Sequence, residues 1–175
     1  MTHIPTLETD HLLLRPFQPE DAAVLDAINR KPGVLAYFPS PNPPALEKVE
    51  RFVAYQQKHW DTYGYGNWAL VPKETGAFGG WVGLQYLAET QETEVGYLLD
   101  PALWGWGYAT EAARASLQFG FERFAFPEII ALVHPDNAAS LRVASKCGLQ
   151  VVERKVYWGL ELVRHVIKNP AVVGV

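Results

Sequence analysis

The sequence has little of several features that would point to particular classes of protein. Its single cysteine, Cys147, excludes an intramolecular disulfide and disfavours a cysteine-based metal site. Its 15 Lys and Arg residues are outnumbered by 19 Asp and Glu residues, whereas proteins that bind nucleic acid usually carry a basic surplus. No run approaches the roughly 18 apolar residues of a membrane span, and residues 1–17 lack the apolar stretch of a signal peptide. We therefore expect a cytoplasmic protein whose partners are neither nucleic acid nor membrane.

The composition is typical of a globular protein. Hydrophobic residues make up 49% of the 175 residues and charged residues 19%, and most chains of this length form one domain. Such a domain buries enough surface to fold without disulfides or metal. We expect one domain over residues 1–175 with a core at about 7–168, as a monomer or a homodimer. The five histidines have no metal-ligand spacing, so no metal site is predicted.

The apolar patterns predict a mixed α/β fold with one sheet and helices packed on it. The predicted helices cover about 19–29, 46–63, 108–124 and 138–147. The predicted strands cover 11–17, 68–71, 80–86, 94–99, 129–134, 149–152 and 163–167. Residues 31–45 contain five prolines and are predicted to form a surface loop. Residues 169–175 are left unassigned.

The most informative segment is the glycine-bearing turn between the strand ending at Leu99 and the helix beginning at Tyr108. The first N–H groups of a helix have no internal partners, and the helix dipole places partial positive charge there. Such a terminus binds phosphate without a cationic side chain, and Gly105 and Gly107 let the backbone approach an anion closely. The alternative is a structural turn followed by a tightly packed helix. The inner face of that helix is mostly small: Ala109, Ala112, Ala113, Ser116, Leu117 and Gly120.

Two other phosphate-binding motifs are excluded. The P-loop requires a Gly-Lys pair, and the chain has none. The dinucleotide pattern G-x-G-x-x-G/A matches at residues 64–69, but there it follows a predicted helix and enters a predicted strand, which is the reverse of the required context.

The segment Trp104-Gly105-Trp106-Gly107-Tyr108-Ala109-Thr110-Glu111-Ala112 resembles the acetyl-coenzyme A (acetyl-CoA) pyrophosphate loop of the GNAT acetyltransferases. It is most similar to the branch that includes the ribosomal-protein-alanine N-acetyltransferases. Residues 137–149 are similar to the family pattern N-x-x-S-x-x-V-x-x-K-x-G-F, and the resemblance extends from Leu7 to Lys168. It implies one GNAT-type domain with a mixed, mostly antiparallel sheet. That sheet is splayed between the family's fourth and fifth strands, here 94–99 and 129–134, and has helices on both faces.

The resemblance also implies acetyl-CoA as co-substrate and assigns its contacts. The backbone of Leu98 and Leu99 would bind the pantetheine arm, and the Asn137 amide would reach the same arm. Asn137 has an alternative role as a helix N-cap, a position that asparagine favours. The pyrophosphate would lie on Trp104, Gly105, Trp106, Gly107, Tyr108, Ala109 and Thr110.

The implied reaction is transfer of acetyl to a primary amine, on a protein N-terminus or a small molecule, by direct attack. Ser140, which would lie near the coenzyme A sulfur, is the candidate acid for the departing thiolate, and its alternative is an ordinary first-turn serine. Ala144 stands where many members have tyrosine. Glu94 is the candidate base, with a structural carboxylate as its alternative and Glu153 and Glu161 as fallbacks. The acceptor pocket is assigned to Tyr37, Phe38, Tyr157 and Trp158. The alternative function is a catalytically silent CoA-binding sensor module.

Overall fold

A computed structural model of the chain describes residues 2–173. Its strands are β1 Leu7–Glu8, β2 Leu12–Arg15, β3 Asn67–Pro72, β4 Gly80–Leu87, β5 Glu92–Leu99, β6 Glu128–Val133, β7 Gln150–Tyr157 and β8 Leu160–Lys168. Its helices are α1 Asp21–Asn29, α2 Leu46–Tyr63, α3 Tyr108–Arg123, α4 Ala138–Lys146 and α5 Pro170–Val173, with a 3₁₀ turn at Pro101–Leu103. None of the helices within the described range is long and apolar enough to cross a bilayer.

All the strands form one mixed sheet in the order β1-β2-β3-β4-β5-β6-β8-β7. Neighbours are antiparallel except β5 and β6, which run parallel with Glu94 in register with Ile130. The structure confirms the mixed α/β fold with its mostly antiparallel sheet, while the splay between β5 and β6 stays a prediction. The two strands nevertheless differ from every other neighbouring pair in the sheet, since their register contains that one residue pair.

The last strands are longer than the sequence predicts. β7 continues to Tyr157 instead of ending at Val152 and pairs with β8 along most of its length. The turn between them is Trp158-Gly159, with φ of 50° and 79°. A two-residue hairpin turn with positive φ at both central residues has a backbone twist that matches the right-handed twist of its strands. The hairpin therefore carries the Trp158 side chain at its tip.

The sheet has helices on both faces, as predicted. On one, called the α3 face, Val95 and Leu99 of β5 pack with α3. On the other, called the α1 face, Leu98 packs with α1 and α2. The small inner stripe of α3 lets this helix approach the sheet closely, because a Cβ at Gly120 would lie only 2.7 Å from Leu84 Cδ1. The close contact fixes the direction of α3 and hence the position of its N-terminus.

Candidate active site

The N-terminus of α3 is an open corner of the molecule. Gly107 is its N-cap with φ of 83°, and the Glu111 N–H donates to the Gly107 carbonyl at 3.0 Å. Within residues 2–173, none of the backbone N–H groups from Gly105 to Thr110 donates a hydrogen bond to another part of the chain. A Cβ at Gly105 or Gly107 would meet nothing within 4 Å. A row of open amides at the positive end of a helix dipole is suited to binding an anion.

Contacts on both sides hold this corner in place. The Trp104 Nε1–H donates to the Leu99 carbonyl at 3.0 Å and so ties the loop to the end of β5. The Glu111 carboxylate accepts from the Thr9 hydroxyl at 2.6 Å and from the His11 N–H at 2.8 Å. Burial alone would raise the pKa of Glu111, but these hydrogen bonds lower it overall. The glycine turn is therefore anchored at its ends while its amides stay exposed.

A cavity of about 550 Å³ lies between β5 and β6 and is bordered by α4. Because side chains alternate along a strand, the residues that line it come from both faces of the sheet. On the α3 face they include Tyr97, Asn137, Ser140, Val143, Ala144 and Cys147. On the α1 face they include Tyr37, Phe38, Trp81, Gln85, Glu94 and Trp158. The cavity therefore crosses the sheet, and two ligands can approach each other from opposite faces.

Glu94 lies on the α1 side of this cavity. Burial raises the pKa of its carboxyl group to about 8; the nearby Leu132 backbone opposes the shift, and the negative charge of Glu92 adds to it. Gln85 is its partner in register on β4. A carboxyl group with a pKa close to neutral exchanges protons readily near neutral pH, which suits acid or base chemistry.

Tyr97 is a cavity residue that the sequence reasoning missed. It lines the cavity on the α3 side, as does Ser140. Burial raises the pKa of Tyr97 to about 12, with a smaller opposing effect from Ser140. Strand alternation with the apolar Val95 and Leu99 is the signal that could have placed Tyr97 on this face. The pair brings two hydroxyl groups together beside Ala144, the position where many GNAT members have a tyrosine.

Asn137 forms the N-cap of α4. Its Oδ1 accepts from the Ser140 N–H at 3.1 Å, which is the role left open as the alternative to cofactor binding. Because Asn137 also lines the cavity, its contact with a pantetheine arm stays a prediction. Cys147 lines the cavity as well, and burial raises the pKa of its thiol. A thiol kept protonated is a poor nucleophile.

The structure separates some residues that the sequence groups together. Tyr37 lines the cavity and packs against His134, with ring centroids 5.2 Å apart and the rings tilted by 34°. Trp158 lines it too, whereas the neighbouring Tyr157 is buried and donates from its hydroxyl to Glu92 at 3.2 Å. Leu98 and Leu99 are buried in the two cores and do not line the cavity. The two fallback bases, Glu153 and Glu161, are exposed on the β7–β8 hairpin and do not line the cavity.

This geometry defines an enzyme-like site with an anion-binding corner and a cavity through the sheet, and comparison with known proteins identifies the family. The model of the acetyltransferase (GNAT) domain matches residues 11–150. The Bacillus subtilis protein YkkB, described as uncharacterized, is 35% identical over 146 residues, which cover 82% of this chain and 84% of that protein. The chain belongs to the GNAT family and is an acetyl-CoA-dependent N-acetyltransferase.

Solved structures show the same fold. An acetyltransferase from Agrobacterium tumefaciens has a TM-score of 0.83 at 27% identity, over 95% of this chain and 96% of that one. A ribosomal-protein-S5-alanine acetyltransferase from Vibrio fischeri has a TM-score of 0.78 at 16% identity, over 95% and 98%. At that identity the second likeness concerns the fold alone.

Proposed function

We propose that the protein transfers the acetyl group of acetyl-CoA to a primary amine, on a small molecule or a protein N-terminus, by direct attack of the amine on the thioester. The observation that carries this proposal is the cavity through the sheet, since it joins the face of the open α3 corner to the opposite face. The protonated state of Cys147 agrees with a mechanism that has no covalent enzyme intermediate.

The cofactor lies on the α3 face. Its diphosphate accepts hydrogen bonds from the open amides of Gly105 to Thr110, which have no other acceptor in the described chain. Its pantetheine arm runs toward the cavity past Asn137 and the backbone of Leu98 and Leu99. Trp104 replaces the polar first residue of the general family motif without loss, because the backbone makes the phosphate contacts.

The amine enters from the α1 face, between the loop residues Tyr37 and Phe38 and the hairpin that carries Tyr157 and Trp158. A typical alkyl amine has a pKa near 10 and is mostly protonated at neutral pH. The carboxylate of Glu94 takes the proton that the amine must lose, directly or through water. General-base help of this kind is worth about 10²- to 10⁴-fold in rate.

In the transfer step a bond forms between the amine nitrogen and the acetyl carbon, and the carbon–sulfur bond breaks. The electron pair of that bond leaves on sulfur, and the thiolate receives a proton from Ser140. Ser140 recovers a proton from the Tyr97 hydroxyl group, which lines the same cavity, and Tyr97 recovers one from water. Backbone N–H groups of β5 stabilise the oxyanion, an effect worth about 3 kcal/mol per donor in other acyl-transfer enzymes.

The test is to incubate the purified protein with acetyl-CoA and a broad set of primary amines. Free thiol release and the mass of the acetylated amine report transfer, and calorimetric titration with CoA reports cofactor binding. We expect thiol release that depends on the amine, with one acetyl group gained per thiol. Tight CoA binding without transfer to any amine would contradict the enzyme mechanism and favour the CoA sensor.

A further inference from the structure

The acceptor side of the cavity contains a single carboxylate. Among the described residues that line the cavity, Glu94 is the only Asp or Glu. The rest of the α1 side is mostly aromatic and aliphatic: Tyr37, Phe38, Trp81, Leu132, Trp158 and Leu162. We infer that the acceptor is a small primary monoamine whose body is aromatic or branched and apolar. This inference rests on the proposed acetyl transfer.

The carboxylate nearest to Glu94 along the strand is already engaged. Glu92 accepts from Arg164 Nε at 2.8 Å through one oxygen and from the Tyr157 hydroxyl at 3.2 Å through the other. Arg164 also donates to Glu128 at 3.0 Å. The charge of Glu92 is therefore already balanced by Arg164, and Glu92 does not line the cavity. Glu94 is the one carboxylate that the described cavity lining offers to an ammonium group.

This arrangement disfavours polyamines and aminoglycosides. Each further ammonium group would leave water for an apolar surface without an anionic partner, and an unpaired charge is costly to bury. An apolar body has the opposite preference, because it gains by covering the aromatic surface. The charge count and the lining therefore favour the same class of acceptor.

Ring packing holds part of the aromatic wall in position. Trp81 packs against Phe52, with ring centroids 5.8 Å apart, and Tyr37 against His134. Gly96 faces Trp81 with no side chain, and a Cβ there would lie 3.5 Å from the ring. Trp158, at the hairpin tip, leaves 48% of its surface exposed. Aromatic walls with few polar groups are typical of pockets for small apolar ligands.

The first experiment compares acceptors on the unaltered protein. Thiol release is measured with 2-phenylethylamine, 3-methylbutylamine, spermidine, kanamycin and an alanine-initiated pentapeptide. We expect kcat/KM for the two monoamines to exceed that for the other three by at least about tenfold. Calorimetric titration of the same amines into the CoA complex measures the preference without turnover. A preference for spermidine, kanamycin or the peptide in either measurement would overturn the inference.

The second experiment changes the charge of the acceptor mouth. Gln85 is exposed, lies opposite Glu94 in register and lines the cavity, so Gln85→Glu adds a second carboxylate with almost no change in shape. We expect the ratio of kcat/KM for spermidine to that for 2-phenylethylamine to rise by about five- to tenfold, and the binding ratio in the CoA complex to rise in parallel. The ratio matters because a change in the pKa of Glu94 affects all amines together.

Gln18→Glu is the matched control, since Gln18 is exposed and lies outside the cavity lining. If the ratio of kcat/KM for spermidine to that for 2-phenylethylamine is the same in Gln85→Glu and Gln18→Glu, the acceptor does not bind next to Gln85. The two proposals fail in different ways. Transfer that prefers polycations leaves the acetyl transfer intact and removes the monoamine assignment. Monoamine binding to the CoA complex without any thiol release would contradict the acetyl transfer and leave the monoamine assignment intact.

Discussion

The two ends of the proposed site are built from different parts of the chain. The proposed cofactor end relies on backbone amides of one continuous segment, Gly105 to Thr110, which the close packing of α3 holds in place. The proposed acceptor end relies on side chains from separate segments, such as Tyr37, Trp81, Glu94 and Trp158. A backbone site tolerates many side chains as long as its glycines remain. A site made of side chains changes with every substitution.

The difference explains how a family can keep one cofactor and vary its acceptors. Trp106 belongs to the proposed cofactor loop, yet 72% of its surface is exposed. Its proposed contact with the diphosphate uses the backbone N–H and not the ring. In contrast, the proposed role of Glu94 depends on its carboxyl group and on the burial that shifts its pKa. Substitutions should therefore affect the two ends separately, and the following variants are chosen to test that separation.

The largest effect is expected from Gly107→Glu at the cofactor end. The new carboxylate would stand among the amides proposed to bind the diphosphate and would block and repel it. We expect the Kd for CoA, measured by calorimetry, to rise by at least about 1000-fold. Gly76→Glu is the control, because Gly76 also has a positive φ, 66°, with nothing within 4 Å of a Cβ. Equal CoA affinity in the two variants would remove the loop from the cofactor site.

At the acceptor end, Glu94→Gln should lower kcat by about 100-fold at pH 8 while leaving the Kd for CoA within about threefold. Because the pKa of Glu94 is about 8, the unaltered enzyme should lose activity as the pH falls below that value. The variant should lack this acidic limb when both are assayed with the same amine. Glu74→Gln, in an exposed turn, is the control. Loss of the limb in Glu153→Gln instead would assign the base to the hairpin.

The same variant makes a stability prediction. The folded pKa of Glu94 lies above the value of about 4.3 for an exposed glutamate. Its contribution to stability is therefore fully present below pH 4 and is lost as the pH rises through about 8. Glu94→Gln cannot ionise, so it should exceed the unaltered protein in unfolding free energy at pH 9, by up to about 5 kcal/mol at about 1.4 kcal/mol per unit of pKa difference. The two should match at pH 4, and equal stability at pH 9 would show that the carboxyl group is well solvated.

The same contrast decides how much of the molecule could be predicted from its sequence. α2 and the glycine corner before α3 are local patterns, and the structure places both where the sequence predicts them. The sequence predicts too short a β7 because Glu153, Arg154 and Lys155 do not alternate with apolar residues. They lie on the edge strand of the sheet, where their side chains are exposed. Tyr97 was missed because its partner Ser140 is distant in sequence and only the fold brings them together.

Where the two ends meet, Ser140→Ala should lower kcat by about tenfold and leave the Kd for CoA unchanged. Tyr97→Phe should have a similar effect, because both hydroxyl groups serve one proton path. The double variant should then cost little more than either change alone. Ser145→Ala, exposed on the same helix, is the control. Additive losses in the double variant would contradict a shared path, and full activity in Ser140→Ala would remove Ser140 from the mechanism.

The smallest effect is expected at the hairpin tip. Trp158 has a φ of 50°, and asparagine tolerates such a conformation, so Trp158→Asn removes the ring without adding strain. If the ring covers part of the acceptor, KM for the amine should rise by about threefold while kcat and the Kd for CoA stay the same. Tyr55→Ala, an exposed aromatic on α2 outside the cavity lining, is the control. Weaker CoA binding in Trp158→Asn would instead place the hairpin over the cofactor. Trp158 would then contribute to both the cofactor end and the acceptor end of the proposed site.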